Sequence, residues 1–295
     1  MTSLVEGIDL DLDVRLDSDR RASGHGWRAS LGLCAGLGFI GVVLLAAWFL
    51  PLRYSPTTLG NTVLAPPSAQ HWFGTNEAAQ DMFARTIRAA RTDLPLAFGG
   101  TALATIVGVI GGLAAATTGR AAEWLMRALD AFQALPLLIV TVAIVVIADN
   151  SLFMVAVAIC LVSGPFYIRL VRSQAMILRE SRFVEASRAA GTSWPRVMVR
   201  HVLPNLRGLI LTQTANTAAV ALLVVAAMSF IGVGVIPPTP TWGAMIRSGS
   251  EQLVNGQWWD SLFPSLALFG CIISFNLIAD GLRDRSGRKR GMGPQ

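Results

Sequence analysis

Residues 208–236 read GLILTQTANTAAVALLVVAAMSFIGVGVI, 29 positions without a charged side chain. Wound as an α-helix at about 1.5 Å per residue, such a run outreaches the roughly 30 Å hydrocarbon core of a bilayer. Five more stretches behave alike. Residues 29–50, 94–117, 131–148, 151–168 and 261–279 contain no Lys, Arg or Glu, with Asp149 and Asp260 only at their margins. A soluble domain buries one such helix, not six. The composition agrees: 53% of the 295 residues are hydrophobic and 14% charged, against about a quarter charged in soluble domains. The expectation is an all-α polytopic membrane protein with six transmembrane helices.

The formal charge of +6 is distributed by topology. Lys and Arg number 4, 2, 8 and 5 in the segments on the N-terminal side of the membrane, against 4, 0 and 1 in those on the other. Basic residues gather on the cytoplasmic face of membrane proteins, so both termini are expected in the cytoplasm of a multi-pass cell (inner or plasma) membrane protein. The basic balance reports orientation and not nucleic-acid binding. Residues 1–28, with six acids, form a cytoplasmic tail. The first span, 29–50, lacks a small-residue cleavage site and is read as a signal anchor. Cys34, Cys160 and Cys271 all lie in apolar spans, which suits small packed residues and neither disulfides nor a metal site.

Residues 51–93 form an extracytoplasmic segment. Glu77 to Arg91 reads as a helix with Arg85, Arg88 and Arg91 on one face, the pattern of an interfacial helix lying on the membrane. A five-helix core, 94–282, follows. Its first span is Gly-rich, and Gly108 and Gly112 make a small-xxx-small pair for close helix approach. Spans three and four are joined by a tight turn at Asp149-Asn150-Ser151, and Pro136 and Pro165 are placed to kink them. Span five opens with Thr212, Gln213, Asn216 and Thr217 on one helical face. That face could line a hydrophilic translocation path, or bond to neighbouring helices. A basic cytoplasmic tail, 283–295, ends the chain.

Between spans four and five the chain changes character. Arg169 to Arg207 holds eight arginines with Glu180 and Glu185. Ala186, Ala189 and Ala190 favour a helix that Gly191 would end. Thr192 and Ser193 can cap a second helix, with Pro195 in its first turn and Pro204 breaking it before span five. The prediction is a cytoplasmic helix–turn–helix within 178–207, docking a soluble partner or simply a solvated basic loop.

Glu185-Ala186-Ser187, Gly191 and His201-Val202-Leu203-Pro204 resemble the EAA loop of binding-protein-dependent ABC importer permeases, with Ser187 and His201 as mild departures. The likeness to the dipeptide and oligopeptide (DppC/OppC-like) subfamily extends from about residue 29 to 290. It is carried by His71-Trp72-Phe73-Gly74-Thr75, Arg169-Leu170-Val171-Arg172, Ser229-Phe230-Ile231-Gly232-Val233-Gly234, Pro237-Pro238-Thr239-Pro240-Thr241-Trp242-Gly243 and Asn276 to Asp284. The resemblance implies a type I ABC importer permease fold. It implies that Glu185, Ala186, Ser187, Gly191, His201, Leu203 and Pro204 couple the chain to an ATPase. It also implies partners: a related permease in a heterodimer, two cytoplasmic ATPase subunits and an extracytoplasmic substrate-binding protein. Where the subfamily has Gly-Thr-Asp-x-x-Gly-Arg-Asp, this chain has Asn76, Ala79 and Gln80 in place of Asp, Gly and Arg.

No nucleotide-binding loop is present, because the single lysine, Lys289, precedes Arg290. No nucleophile–base constellation suggests an enzyme, and no cofactor of the chain's own is expected, ATP being bound by partner subunits. Peptides are the leading substrate class. Nickel complexes, haem, glutathione or other small solutes remain open within the importer class. An ATPase-independent secondary transporter or channel is the rival outside it, disfavoured by the scarcity of intramembrane ionisable residues. Trp242, Trp258 and Trp259 read as membrane-interface anchors.

Overall fold

A computed structural model describes residues 30–116 and 119–291; the expectation for tail 1–28 lies outside them, as does the end of tail 283–295. Helix α1 spans Ser30–Phe49. It is followed by α2 Met82–Ala115, α3 Arg120–Gln133, α4 Leu137–Ile147, α5 Leu152–Arg179 and α6 Arg182–Ala189. Helix α7, Trp194–Val197, runs through a π turn, Met198–Val202, into α8, Leu203–Ile231; α9 Trp242–Gln252 and α10 Trp259–Gly291 complete the chain. Five helices are long and apolar enough to cross a membrane, and the bent pair α3–α4 makes a sixth crossing if counted as one span.

The tightest packing joins α2 to α5, and glycine makes it possible. Gly100 faces Ile159, Gly108 faces Tyr167 and Gly112 faces Val171. A Cβ at any of the three would overlap the opposing side chain. Each pair differs by the same 59 positions, so the two helices run in the same direction, as spans two and four of the predicted topology must. Gly108 and Gly112 thus serve packing within this chain.

Contacts sort the helix termini into two ends. At one end Gly36 of α1 meets Ser274 and Ile278 of α10, Gly208 of α8 meets Ser286, and Arg172 Nε donates to the Ala115 carbonyl at 3.0 Å. At the other, Arg88 and Arg91 reach the carbonyls of Ala47 and Trp48. There also the Gly234 N–H donates to Asn150 Oδ1 at 3.0 Å, and the Trp259 indole N–H donates to the Thr75 carbonyl at 3.3 Å. The first end carries α6 and its arginines.

Two expectations are corrected here. The interfacial helix at Glu77–Arg91 is not separate: α2 starts at Met82 and runs unbroken past Arg91 into the membrane. Arg88 and Arg91 cap α1, filling the orphan carbonyls at its C-terminus. Arg85 Nη1 donates to Pro56 O and Gln80 Oε1. The third span breaks at Pro136, where the sequence places a kink, but its two arms, Arg120–Gln133 and Leu137–Ile147, do not keep the expected bounds 131–148. Pro136 caps α4 in an extended conformation, and α3 leaves at 88°. Proline has no N–H to carry the ladder across, and α4 with 11 residues is only about 16 Å long. Arg169 Nη2 ties α3 to α5 by donating to Asp130 Oδ1 at 2.6 Å and Gln133 Oε1 at 2.7 Å.

Candidate functional site

The predicted helix–turn–helix is present, with Gly191 and Pro195 in their expected places, although the Ser193 side chain makes no capping bond. Gly191 takes φ +80°, the left-handed conformation that ends α6. Its N–H donates to Arg188 O at 2.9 Å, and the Thr192 N–H donates to Ser187 O at 3.2 Å. Ser193 stands at the N-cap of α7, with Pro195 in the first turn. Val184, buried on the inner face of α6, packs into a core with Val171 and Ala175 of α5 and Val197, Val202 and Leu206. Glu185, Ala186 and Gly191 are exposed on the outer surface, while Ser187 is half-buried beside them. His201 and Leu203 are half-buried and Pro204 exposed one turn further on.

Pro204 does not break the helix. Trp194–Ile231 is continuous over 38 residues. The π turn accommodates the proline: the Leu203 N–H reaches back to Met198 O, and the wider turn relieves the clash that a proline ring makes with the preceding turn. The outer loop and span five therefore form one long rod.

The polar face of α8 divides. Thr212 and Thr217 are buried within the chain, Thr212 donating to Gly208 O at 3.0 Å. Gln213 and Asn216 are half-buried, and Gln213 Nε2 donates to Thr217 Oγ1 at 3.4 Å. A second polar cluster escaped the sequence reading. Tyr167 of α5, fully buried, places its hydroxyl 2.7 Å from Thr214 Oγ1 of α8 and 3.2 Å from Thr105 Oγ1 of α2. The signal was available: Tyr167 is one of two tyrosines in the chain, and a phenol in an apolar span needs a partner.

The other end is closed by residues far apart in sequence. Trp242 is buried, donates its backbone N–H to Asp93 Oδ2 at 2.8 Å and its indole N–H to Thr86 O at 2.9 Å. Trp259 is also buried, so of the three tryptophans read as interface anchors Trp258 alone is exposed as an anchor would be. Asp93, inside α2, is thus the acceptor at the start of α9. The departing motif folds into a tight loop. Asn76 Oδ1 accepts from the N–H groups of Ala78 and Gln80, and Asn76 Nδ2 donates to Gln80 Oε1 at 3.1 Å. Ala79 sits at φ +55°. Asp81 caps α2 through Ala84 N and holds His71 Nδ1 at 2.8 Å. Near the inner end of α10, Asp280 pairs with Arg283 at 3.5 Å. Among the described residues no cluster of His, Cys, Asp or Glu could hold a metal. The cysteines are free, although Cys34 is exposed rather than packed.

From the middle of α2 to the end of α10, residues 104–291 match the family of binding-protein-dependent transport system inner membrane components. The chain belongs to that family. Its fold is the type I ABC importer permease fold, and it is a multi-pass inner-membrane component. Among its relatives is the dipeptide transport system permease protein DppC of Alkalihalophilus pseudofirmus, 37% identical over 87% of this chain and 84% of that one. The di/tripeptide transport system permease protein DppC of Pseudomonas aeruginosa is 35% identical, over 86% of each. The probable D,D-dipeptide transport system permease protein DdpC of Escherichia coli is 34% identical, over 85% of each. These relatives are transport subunits rather than enzymes. The family match includes the whole helix–turn–helix and the polar face of α8.

Proposed function

We propose that this chain is one permease half of an ATP-driven importer, carrying di- or oligopeptides handed over by an extracytoplasmic binding protein. The supporting observation is the α6–α7 turn: a short, exposed helix set on the basic end of the bundle, joined by that turn to α7, which runs without a break into a membrane helix. Glu185, Ala186 and Gly191 form its outer surface; small residues permit close backbone approach, and the carboxylate offers a rim contact. Two ATPase subunits bind and hydrolyse ATP, and movement of the one seated on α6 passes as a rigid-body displacement into α5 and α8. The second half of the pathway is a related permease. Gln213 and Asn216, the two incompletely buried members of the α8 polar face, are the residues we assign to the pathway, while Thr212 and Thr217 brace it from within. The peptide assignment draws support from the names of the relatives.

The test is reconstitution. Purification in mild detergent brings down an ATPase, and Glu185→Ala or Gly191→Leu uncouples ATP hydrolysis from uptake while membrane insertion persists. Uptake by the chain alone in liposomes, with no ATPase present, defeats the importer reading.

A further inference from the structure

Eight residues do not hold a helix in water by themselves, and Val184 is the buried residue of α6. If a partner's movement is to reach α5 and α8, something besides Val184 must hold α6 to them. One aromatic ring stands at that junction. The Arg179 guanidinium, on the last residue of α5, lies 4.9 Å from the centroid of the Trp194 ring. The Arg188 guanidinium, in the last turn of α6, lies 5.5 Å from the same centroid. Trp194 itself opens α7 and is partly buried against the core that includes Val184 and Val197. Three helix ends therefore meet at one ring. The two nearby acids do not compete, since neither arginine has an ion-pair partner among the described residues. The planar guanidinium stacks on aromatic faces, which suits both arginines to the Trp194 ring.

We infer that Trp194 is a positioning residue: through cation–π contacts with Arg179 and Arg188 it makes α6 one rigid body with α5 and the α7–α8 rod, and so sets how much ATPase movement enters the membrane. The inference rests on the coupling role proposed for α6. It goes beyond that role in naming the residues that tie α6 to its neighbours.

The importer is purified intact through this chain and reconstituted with its binding protein. Uptake of labelled dialanine per ATP hydrolysed is then compared among variants. Trp194→Leu lowers the ratio about fivefold, the scale of losing cation–π contacts at a half-exposed site, with the ATPase still co-purifying. Trp194→Phe, which keeps a π face, stays within about twofold of the parent. The double variant Arg179→Gln with Arg188→Gln leaves the ring and its packing in place and loses as much as Trp194→Leu. A second measurement is independent of substrate. Spin labels at Ala189→Cys and Leu211→Cys, in a background with the native cysteines replaced by alanine, give a narrow distance distribution that broadens in Trp194→Leu and in the double arginine variant. An unchanged distribution in both, or Trp194→Phe behaving like Trp194→Leu, overturns the inference. Should Glu185→Ala leave the transport ratio unchanged, the coupling role itself fails; should Glu185→Ala uncouple while the ring and arginine variants do not, only the clasp fails.

Discussion

Ala79 holds φ +55°, a conformation that costs an L-residue with a Cβ about 1–2 kcal/mol and glycine almost nothing. Ala79→Gly is therefore expected to raise the thermal unfolding midpoint in detergent, by a net stabilisation of up to about 1 kcal/mol after the extra chain entropy of glycine is counted. An unchanged or lowered midpoint would show that the buried methyl contributes more than the strain. Next to it, Gln80 Oε1 accepts from Arg85 Nη1 at 2.6 Å and from Asn76 Nδ2 at 3.1 Å. Asn76 and Gln80 thus form a neutral amide pair that the Arg85 guanidinium closes from α2. Gln80→Arg would remove an acceptor and set two guanidinium groups together, destabilising by about 1–3 kcal/mol. Adding Asn76→Asp should recover part of that loss, readable in the same melting assay. The sequence showed the departure at once. The bond from Arg85 was hidden because its spacing with Arg88 and Arg91 read as one face of an interfacial helix.

At the scale of elements, the α2–α5 seam depends on the absence of side chains. Gly108→Val drives a branched side chain into the Tyr167 ring, and overpacking of a closed interface costs about 1–3 kcal/mol or more. The expected outcome is loss of monodisperse protein in detergent, whereas the same change at Gly99, which has open space around it, is tolerated. The junction of α2 with α9 is polar. Asp93→Ala leaves the buried Trp242 N–H without its acceptor and should cost about 1–3 kcal/mol, while Asp93→Asn keeps an acceptor oxygen and should cost less. Equal melting points for the two variants would argue that the bond contributes nothing. The helix–turn–helix was legible in outline, because Gly191 and Pro195 act through their own backbones. The course of the chain through Pro204 was not, because a π turn is a property of five consecutive residues under load from the core below them.

For the whole molecule, the prediction is dependence on partners: the chain inserts and folds by itself, yet moves no peptide until ATPases and a second permease are added, which a liposome flux assay with stepwise addition measures. The sequence by itself determined the membrane class, the number of apolar crossings, the basic end of the bundle and the position of the helix–turn–helix. Hydropathy, charge and the backbone habits of Gly and Pro are local properties, and a local reading suffices for them. Tertiary structure alone decided whether Arg88 and Arg91 belong to an interfacial helix or cap α1, whether Trp242 and Trp259 anchor at the interface or lie buried, and how sharply the third crossing bends at Pro136. It alone decided which of Thr212, Gln213, Asn216 and Thr217 turn inward. For the arginines and the buried tryptophan Trp242 the physical reason is the same. In a low-dielectric interior a polar group goes where its partner is, and the partners here, the carbonyls of Ala47 and Trp48 and the carboxylate of Asp93, stand tens of residues or more away along the chain.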